Sequence, residues 1–227
     1  MGALSCVAVL ISGCLKSVDN TPPKPKAYFS VMHLAPRAPS VEIYFNDTKA
    51  SSAFASGAYT EAYNQIHPGF FSINFKKASG DSLVASIPTD RYDSLNFYTI
   101  LLYNTLPGNA VRAVAIHDDY SVLSDTKTCY RFFHMSPDIG DVDVYFNNEK
   151  WEQGRTYADN VYGSYNQYQQ KTSNSFTIAV KKAGTDSVIA QTNTTLYDQR
   201  AYTIFLKGVI NGTGNNALGV NVLQAVN

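Results

Sequence analysis

The sequence predicts an all-β protein made of two tandem β-sandwich domains. Three observations support this fold class: a duplicated segment of about 100 residues, apolar residues that alternate with a period of two, and turn-forming segments between the alternating runs. A chain of 227 residues, 44% of them hydrophobic, is long enough and apolar enough to bury two cores of ordinary domain size. No long stretch shows the helical periodicity of an amphipathic α-helix.

The duplication is clearest near the start of each copy, where residues 32–46 align with residues 133–147 at an offset of 101. Further matches follow in the same order with offsets between 101 and 105, so only short loop insertions distinguish the copies. These matches are 63–65 with 165–167, 75–78 with 180–183, 92–93 with 197–198, and 98–100 with 202–204. We therefore predict a first sandwich over residues 27–122 and a second over residues 123–227, joined near residues 121–128.

Within each copy, apolar side chains alternate with polar or amphipathic ones, which is typical of a strand with one face on a core and the other toward water. Residues 77–82 and 182–187 carry turn residues between two such runs, so each is predicted to form a hairpin. Residues 216–222 match residues 109–115, and the last strand is therefore expected to pair within its own domain. The alternating apolar positions are Val41, Ile43 and Phe45 in the first copy and Val142, Val144 and Phe146 in the second.

The residues that match between the copies resemble a known family. In both copies a strand carries His, followed shortly by a small residue and Pro (33–36 and 134–137), and the chain continues into an acidic–aromatic alternation that ends in Asn. This pattern is similar to the opening of domain-of-unknown-function family 4397, and the resemblance covers residues 28–119 and 129–227. It implies exported bacterial domains of immunoglobulin-like or transthyretin-like β-sandwich type with no established activity, and it brings no catalytic residues.

The N-terminal segment predicts an export signal and a lipid anchor. Residues 1–13 are uncharged and too short for a transmembrane helix, which needs ~20 apolar residues, but they suit a signal peptide. Residues 11–14 (Ile-Ser-Gly-Cys) resemble the lipobox of Gram-negative lipoproteins, in which cleavage precedes the Cys and Cys14 would carry acyl chains such as palmitate. Residues 14–26 read as a Pro-rich tether, so we expect a protein anchored in the cell envelope, at the outer membrane or the cell surface.

Composition and spacing argue against several activities. Lys and Arg (18) balance Asp and Glu (18), which leaves no electrostatic basis for binding nucleic acid. Residues 80–83 spell the Gly-Asp-Ser-Leu motif of a hydrolase family, but none of the four His has an Asp three positions before it, and residues 185–188 occupy the same hairpin position. With Cys6 removed and Cys14 acylated, only Cys129 remains, and no base is evident beside it. We therefore do not expect an enzyme.

The histidines and carboxylates do not suggest a metal site or a cofactor. His33 and His134 are related by the repeat and lack a neighbouring His or Cys, so we expect each ring to hydrogen-bond to backbone rather than to bind a metal. Residues 117–119 (His-Asp-Asp) offer oxygen ligands to a cation, but no second carboxylate cluster accompanies them. We interpret them as a solvated turn between the domains.

Three serines lie between an Asp and a hydrophobic residue: Ser82, Ser94 and Ser187. The triplet resembles the acceptor of general O-glycosylation systems in some Gram-negative bacteria. Asp-Ser is also ordinary turn chemistry, and two of the triplets lie in repeat-equivalent turns, so both interpretations stay open.

An aromatic cluster in the second copy is the candidate binding site. Tyr and Trp offer flat apolar faces with a polar edge, and amides form paired hydrogen bonds, a mixture that suits sugar rings or a protein surface. The first copy has fewer such residues, so the second domain is the better candidate; the alternative is aromatic pairing across strands on a solvated sheet face. The candidate ligand-binding residues are Trp151, Tyr157, Tyr162, Tyr165 and Gln167.

The resulting hypothesis is a non-enzymatic, lipid-anchored envelope protein that binds a glycan or another protein. The alternative is a fimbrial-type or other structural subunit that assembles by exchanging a strand. The partner expected for the last strand within its own domain counts against strand exchange. The sequence leaves the oligomeric state open.

Overall fold

A computed structural model describes residues 24–226 and confirms the all-β prediction. Each half of this region contains two four-stranded sheets, consistent with two tandem β-sandwiches. Its helical elements are three short 3₁₀ segments, Asp159–Val161, Gly163–Asn166 and Gly214–Asn216. Between residues 24 and 226 no helix is long and apolar enough to cross a bilayer. The predicted signal peptide and Cys14 lie outside the described residues.

The first sandwich contains eight strands: β1 (Ala27–His33), β2 (Val41–Phe45), β3 (Thr48–Lys49), β4 (Asn64–Ile66), β5 (Gly69–Lys77), β6 (Leu83–Tyr92), β7 (Phe97–Asn104) and β8 (Val111–Asp118). One sheet has the order β4-β1-β7-β8 and the other β3-β2-β5-β6. Strands β1 and β7 pair in parallel, whereas their outer neighbours β4 and β8 pair antiparallel to them.

The second sandwich repeats this arrangement with β9 (Thr128–Met135), β10 (Val142–Phe146), β11 (Glu149–Arg155), β12 (Gln169–Lys171), β13 (Asn174–Lys182), β14 (Val188–Leu196), β15 (Ala201–Lys207) and β16 (Gly219–Val226). Its sheets have the orders β12-β9-β15-β16 and β11-β10-β13-β14. The last strand, β16, pairs with β15 of the same sandwich, as predicted from its match with β8.

The predicted hairpins and core positions are confirmed. Strands β5 and β6 join through a turn closed by Lys77 N–H and Ser82 C=O at 2.9 Å, and β13 and β14 join through the same bond between Lys182 and Ser187, also at 2.9 Å. The alternating residues face the space between the two sheets because side chains on a strand point to opposite faces in turn. Five of the six predicted positions are buried there, and Phe45 is half-buried against the same core.

Strands β7 and β9 do not alternate between apolar and polar residues, because both of their faces are covered. Every residue of β9 is buried, as is every residue of β7 after Phe97. One face of each strand lines its own sandwich, and the other packs against the neighbouring sandwich. Continuous apolar runs are the sequence signature of such doubly covered strands.

A third apolar cluster joins the two sandwiches face to face. The sheet that holds β1, β7 and β8 meets the sheet that holds β9, β15 and β16, and buried residues from both sides interdigitate. Gly57 lies at the same junction with φ +78°, where a Cβ would collide with the carbonyl group of Asn215, so only glycine fits there. The buried members include Met32, Leu34, Leu101, Phe133, Met135 and Phe205.

A buried ion pair lies at this junction. Arg131 of β9 is 1% exposed and donates to the carboxylate of Asp118 at the end of β8 at 2.6 Å. Its Nη2 and Nε donate to the hydroxyls of Thr99 and Thr203, each at 2.9 Å, and Nη1 also donates to the backbone carbonyl of Asn166 at 3.2 Å. Burial by itself would lower the pKa of Arg131, but the neighbouring Asp118 carboxylate holds it above the ordinary value, so the guanidinium stays charged.

The interpretation of residues 117–119 as a solvated turn is wrong for Asp118. This carboxylate is 3% exposed and also accepts a 2.5 Å hydrogen bond from the hydroxyl of Tyr63. It is buried because its partner, Arg131, comes from the other sandwich. Asp119, in contrast, is exposed as expected.

Two of the tyrosine matches between the copies are also wrong. Asn64 lies opposite Phe29 and Gln169 lies opposite Tyr130, so the residue equivalent to Tyr63 is Tyr168 and not Tyr165. The 3₁₀ segments at 159–161 and 163–166 lengthen the second copy at this point and bring an unrelated Tyr-Asn-Gln into apparent register.

The second mismatch lies one residue away from the predicted alignment. Tyr92 lies opposite Gly69, and Leu196 lies opposite Asn174, which makes Leu196 its equivalent. Tyr197 corresponds instead to Asp93, because the backbone N–H of each donates to the hydroxyl of the equivalent Tyr202 or Tyr98, at 3.1 and 3.0 Å.

Removing one partner of the buried ion pair should destabilise the whole chain. Arg131→Met leaves the Asp118 carboxylate buried without its cation, and we expect a loss of about 3–5 kcal/mol in the free energy of unfolding measured with urea. The double variant Arg131→Met/Asp118→Leu should lose less than the sum of the single variants. The exposed pair of Arg91 and Asp93 is the matched control, and Arg91→Ala should have little effect. Equal losses for Arg131→Met and Arg91→Ala would contradict the prediction.

Candidate functional site

The five predicted binding residues do not form one surface. Trp151 lies on β11 and stacks on Phe146 within the core of the second sandwich, with ring centroids 3.7 Å apart. Tyr165 is half exposed, and the guanidinium of Arg155 lies 4.3 Å from the centre of its ring. Gln167 is exposed.

Tyr157 and Tyr162 do come together, in a groove of about 410 Å³ between the two sandwiches. The Tyr157 hydroxyl donates to the backbone carbonyl of Asn104 across the junction at 2.8 Å, and Tyr162 is 72% exposed. Leu106 and Asp141 complete a lining that mixes aromatic, apolar and polar groups. Two of the five predicted residues therefore line the groove, and residues 103–106 of the first sandwich form its other wall.

The remaining predicted positions are scattered. Ser82 and Ser187 lie in the equivalent hairpin turns, Ser94 lies between β6 and β7, and all three residues are exposed. Cys129 is fully buried, and burial raises the pKa of its thiol.

His33 and His134 form the predicted backbone hydrogen bonds. The Nε2 of His33 lies 3.0 Å from the carbonyl oxygen of Pro39, and the Nε2 of His134 lies 3.0 Å from that of Gly140. Burial lowers the pKa of both imidazoles, which favours the neutral ring. Within residues 24–226, no three His, Cys, Asp or Glu side chains cluster in a way that could hold a metal ion.

An apolar cavity of about 360 Å³ lies inside the first sandwich. It lies between the two sheets, beside β4 and the segment that follows β3. Its floor is aliphatic, with side chains from β1, β2, β5 and β7, and no charged side chain lines it. The residues that the site depends on are Phe29, Phe45, Phe54, Ile66, Ile73 and Ile100.

Three aromatic rings form a cradle beside this cavity. Phe45 packs edge-on against Phe29, with centroids 5.9 Å apart, and against Phe71, with centroids 5.0 Å apart. Strands β1, β2 and β5 supply one ring each, and all three rings pack with the core between the sheets. Phe29 and Phe45 line the cavity itself.

The second sandwich contains the same cradle with a fourth ring added. Phe146 lies 5.3 Å from Tyr130 and 5.4 Å from Phe176, and the indole of Trp151 lies almost parallel to Phe146, with an interplanar angle of 11°. Phe146 is consequently 1% exposed, whereas its counterpart Phe45 is only half-buried.

Strand register establishes that Ala50 is the counterpart of Trp151. Lys49 lies opposite Tyr44, and Lys150 lies opposite Tyr145, so the next residue in each copy occupies the same place. A methyl group in the first sandwich therefore stands where the second sandwich has an indole.

Two more residues of the segment that follows β3 differ from their counterparts in the second sandwich. Phe54 corresponds to Arg155, because Phe54 pairs with Val41 and Arg155 pairs with the equivalent Val142. Ser51 corresponds to Glu152 at the same sequence offset of 101. In the second sandwich Arg155 is 2% exposed and forms ion pairs with Glu152 at 3.0 Å and Asp159 at 2.7 Å. Burial alone would lower the pKa of Arg155, but these carboxylates hold it above its ordinary value. The second sandwich thus closes with a stacked indole and an ion network, and the first has neither.

Polar groups surround the mouth of the first-sandwich cavity. Asn64 lies opposite Phe29 in the sheet, which directs it toward the inside of the sandwich because directly opposed residues share a face. Its equivalent, Gln169, points the same way and lies 3.4 Å from Glu152. The Asn64 side chain has no hydrogen-bond partner among the described residues, so its amide is available to a ligand.

One difference between the two copies in sequence indicates this site. The match between residues 32–46 and 133–147 extends without a gap to Ala50 and Trp151. A residue that changes from Ala to Trp between two copies of one fold marks a place where one copy has lost or gained a large volume. The density of aromatic residues is highest around Trp151, whereas the open space lies at Ala50.

Comparison with known proteins agrees with the repeated architecture. The family described as "Domain of unknown function (DUF4397)" matches the chain twice, over residues 27–145 and 130–224. A search of curated proteins finds no match. The two family matches together extend over most of the chain. The first covers all strands of the first sandwich and runs on into β9 and β10, and the second covers most of the second sandwich. The chain therefore belongs to the DUF4397 family and carries this domain of unknown function in tandem.

Proposed function

We propose that this chain is a non-enzymatic, lipid-anchored binding protein of the cell envelope, and that the cavity of the first sandwich holds a small, largely apolar ligand. The observation that carries the proposal is the contrast at one position: the space beside Ala50 is open, whereas Trp151 occupies it in the second sandwich. On this proposal the second sandwich is a structural copy whose site is closed by its own side chain.

The size and lining of the cavity suit a small molecule. Ligand sites generally measure about 300–1,000 Å³ and combine an apolar lining with a few polar groups. An apolar cavity of about 150 Å³ already accommodates benzene, so one of about 360 Å³ has room for a larger molecule. Open apolar space forfeits dispersion contacts that a bound molecule would restore.

The lining favours binding over catalysis. Its hydroxyl groups belong to Ser51 and Thr60, and both oxygens accept hydrogen bonds from backbone N–H groups at 2.9 Å. No imidazole or carboxylate lines the cavity to activate either one as a nucleophile. The site can therefore hold a ligand by packing and by hydrogen bonds from the amides at its mouth.

The envelope placement rests on the N-terminal sequence. A lipobox-like segment ends at Cys14, and the Pro-containing stretch to residue 26 would separate the folded domains from the bilayer. A ligand site in the domain that directly follows this tether would lie near the membrane surface.

Filling the cavity should abolish ligand binding. We expect the full chain carrying Cys14→Ala, which avoids competing acyl chains and detergent, to bind the neutral probes n-hexanol or cyclohexanol in calorimetric or NMR titrations. Adding Ala50→Trp should remove this binding, because the new indole occupies the space that Trp151 occupies in the second sandwich. Ala53→Trp is the matched control, since Ala53 is exposed on the same segment and does not line the cavity. Binding that survives Ala50→Trp would show that these probes bind elsewhere.

Anchoring should depend on Cys14 alone. Cys14→Ala is expected to move the protein from the membrane fraction to the soluble fraction of cells, because a chain without acyl groups has no stable attachment to the bilayer. Cys6→Ala changes the other N-terminal thiol and should leave the protein in the membrane fraction. An unchanged distribution of the Cys14→Ala protein would refute lipid anchoring.

A second candidate function is glycan binding in the groove between the sandwiches. The groove favours it because an exposed tyrosine, Tyr162, lies beside Tyr157 and the carboxylate of Asp141. On a glycan array, Tyr162→Ala should lose any signal of the parent protein, whereas Tyr197→Ala, which changes an exposed tyrosine outside the groove, should keep it. An array without a signal for the parent protein would end this candidate.

A further inference from the structure

We propose that the ligand of the first sandwich presents a neutral, planar aromatic ring system of about indole size, which stacks on Phe45 as the indole of Trp151 stacks on Phe146. This inference rests on the proposed binding function and specifies the class of ligand. It is drawn from the second sandwich, where the same cradle is seen with its occupant in place.

The arrangement around Trp151 defines what the cradle accepts. The indole lies face to face with Phe146 at 3.7 Å, edge-on to Phe176 at 5.1 Å, and inclined to Tyr130 at 5.1 Å. The contact with Phe176 has the edge-to-face geometry that aromatic pairs favour, and the contact with Phe146 is a nearly parallel stack. A planar ring satisfies all three contacts together, whereas a saturated ring or an alkyl chain would satisfy none of the stacking.

The first sandwich retains the three rings, but Ala50 places no ring on Phe45. Tyr92 already stacks on Phe71, with centroids 4.6 Å apart, and packs edge-on against Phe29 at 5.0 Å. Phe45 is therefore the ring left for a ligand to stack on, and Phe29 lines the cavity beside it.

Phe45, Phe29 and Phe71 correspond to Phe146, Tyr130 and Phe176 through the strand registers. Their mutual distances of 5.9 and 5.0 Å compare with 5.3 and 5.4 Å in the second sandwich. The free face of Phe45 is therefore already positioned for stacking.

The lining indicates that the ligand ring is neutral. Lys171 places its ammonium 4.8 Å from the centre of the Trp151 ring, but its counterpart in the first sandwich is Ile66, which lines the cavity. A charged ring would be buried against side chains that offer no counter-ion, which carries a large desolvation cost. Asn64 supplies one amide for an N–H, O–H or carbonyl group at the edge of the ring.

The chain offers no second indole and no aromatic side chain in its first 23 residues, which favours a free small molecule as the source of a ring of this size. Residues 1–23 contain no Phe, Tyr or Trp, so the N-terminal segment has no aromatic side chain to insert. Trp151 is the single tryptophan of the chain and packs within its own core, so a second copy has no indole to donate.

The test compares probes of different shape on the same protein. In the full chain carrying Cys14→Ala, 5-fluoroindole followed by ¹⁹F NMR should bind and be displaced by indole, and indole should bind at least about tenfold more tightly than cyclohexanol. Ala50→Trp should abolish the indole signal, and Ala53→Trp should retain it. Asn64→Ala should weaken indole binding several-fold and leave the affinity for cyclohexanol less affected.

A gain-of-site variant provides the converse measurement. Trp151→Ala opens the second cradle, and calorimetry should then report a second indole site in addition to the first. If Trp151→Ala folds poorly, added indole should raise its melting temperature more than that of the parent chain, because the free ring replaces the missing side chain.

The outcomes separate the inference from the proposed function. Cyclohexanol or hexanol binding that Ala50→Trp abolishes, together with indole binding that is weaker or equal, would overturn the aromatic ligand and leave the binding function intact. Indole binding that Ala50→Trp does not change would also overturn the inference. If none of the probes binds the parent chain, the proposed cavity function itself fails.

Discussion

The buried pair of Arg131 and Asp118 determines how the two sandwiches are joined. It links the last strand of the first domain to the first strand of the second, and its hydrogen bonds reach threonines of both domains. Two charges without access to water are tolerated only when they meet each other, so the pair disfavours other ways of packing the sheets. One sheet of each sandwich is thereby covered by the other domain. The first-sandwich cavity lies on the far side of that covered sheet, between it and the second sheet of the domain.

The two copies differ in how they cover the central phenylalanine of the three-ring cradle. Each sandwich has a cradle of three rings whose central phenylalanine needs a cover. In the second copy, Trp151 supplies the cover, and the Arg155 network closes the neighbouring segment. In the first copy, Ala50 and Ser51 are too small to do so, and the central ring remains half-buried.

Much of the fold followed from local patterns, because hairpin turns and alternating apolar residues depend on neighbours in sequence. The alternation at Val41–Phe45 and the Gly-containing turns were sufficient to place β2, β5 and β6. The environment of Asp118 was not predictable in this way, since its partner is a strand residue of another domain and the two meet only after the domains dock. Tyr63 was aligned with the wrong tyrosine because identical letters outweighed an insertion that only strand register reveals. The candidate site was not predicted for a related reason. The cavity lies beside a small residue, Ala50, and the sequence does not show whether neighbouring side chains fill the space next to an alanine.

The position of Trp151 has a consequence for observing this protein in solution. As the single tryptophan, half-buried against the core of the second sandwich, it makes intrinsic fluorescence a reporter of that domain alone. Emission from Trp151 tracks the packing of one half of the molecule, while the tyrosines of both halves contribute little at wavelengths selective for indole. Any event in the first sandwich that does alter this emission must be transmitted across the shared apolar junction. Emission from Trp151 therefore measures whether a structural change in the first sandwich reaches the second.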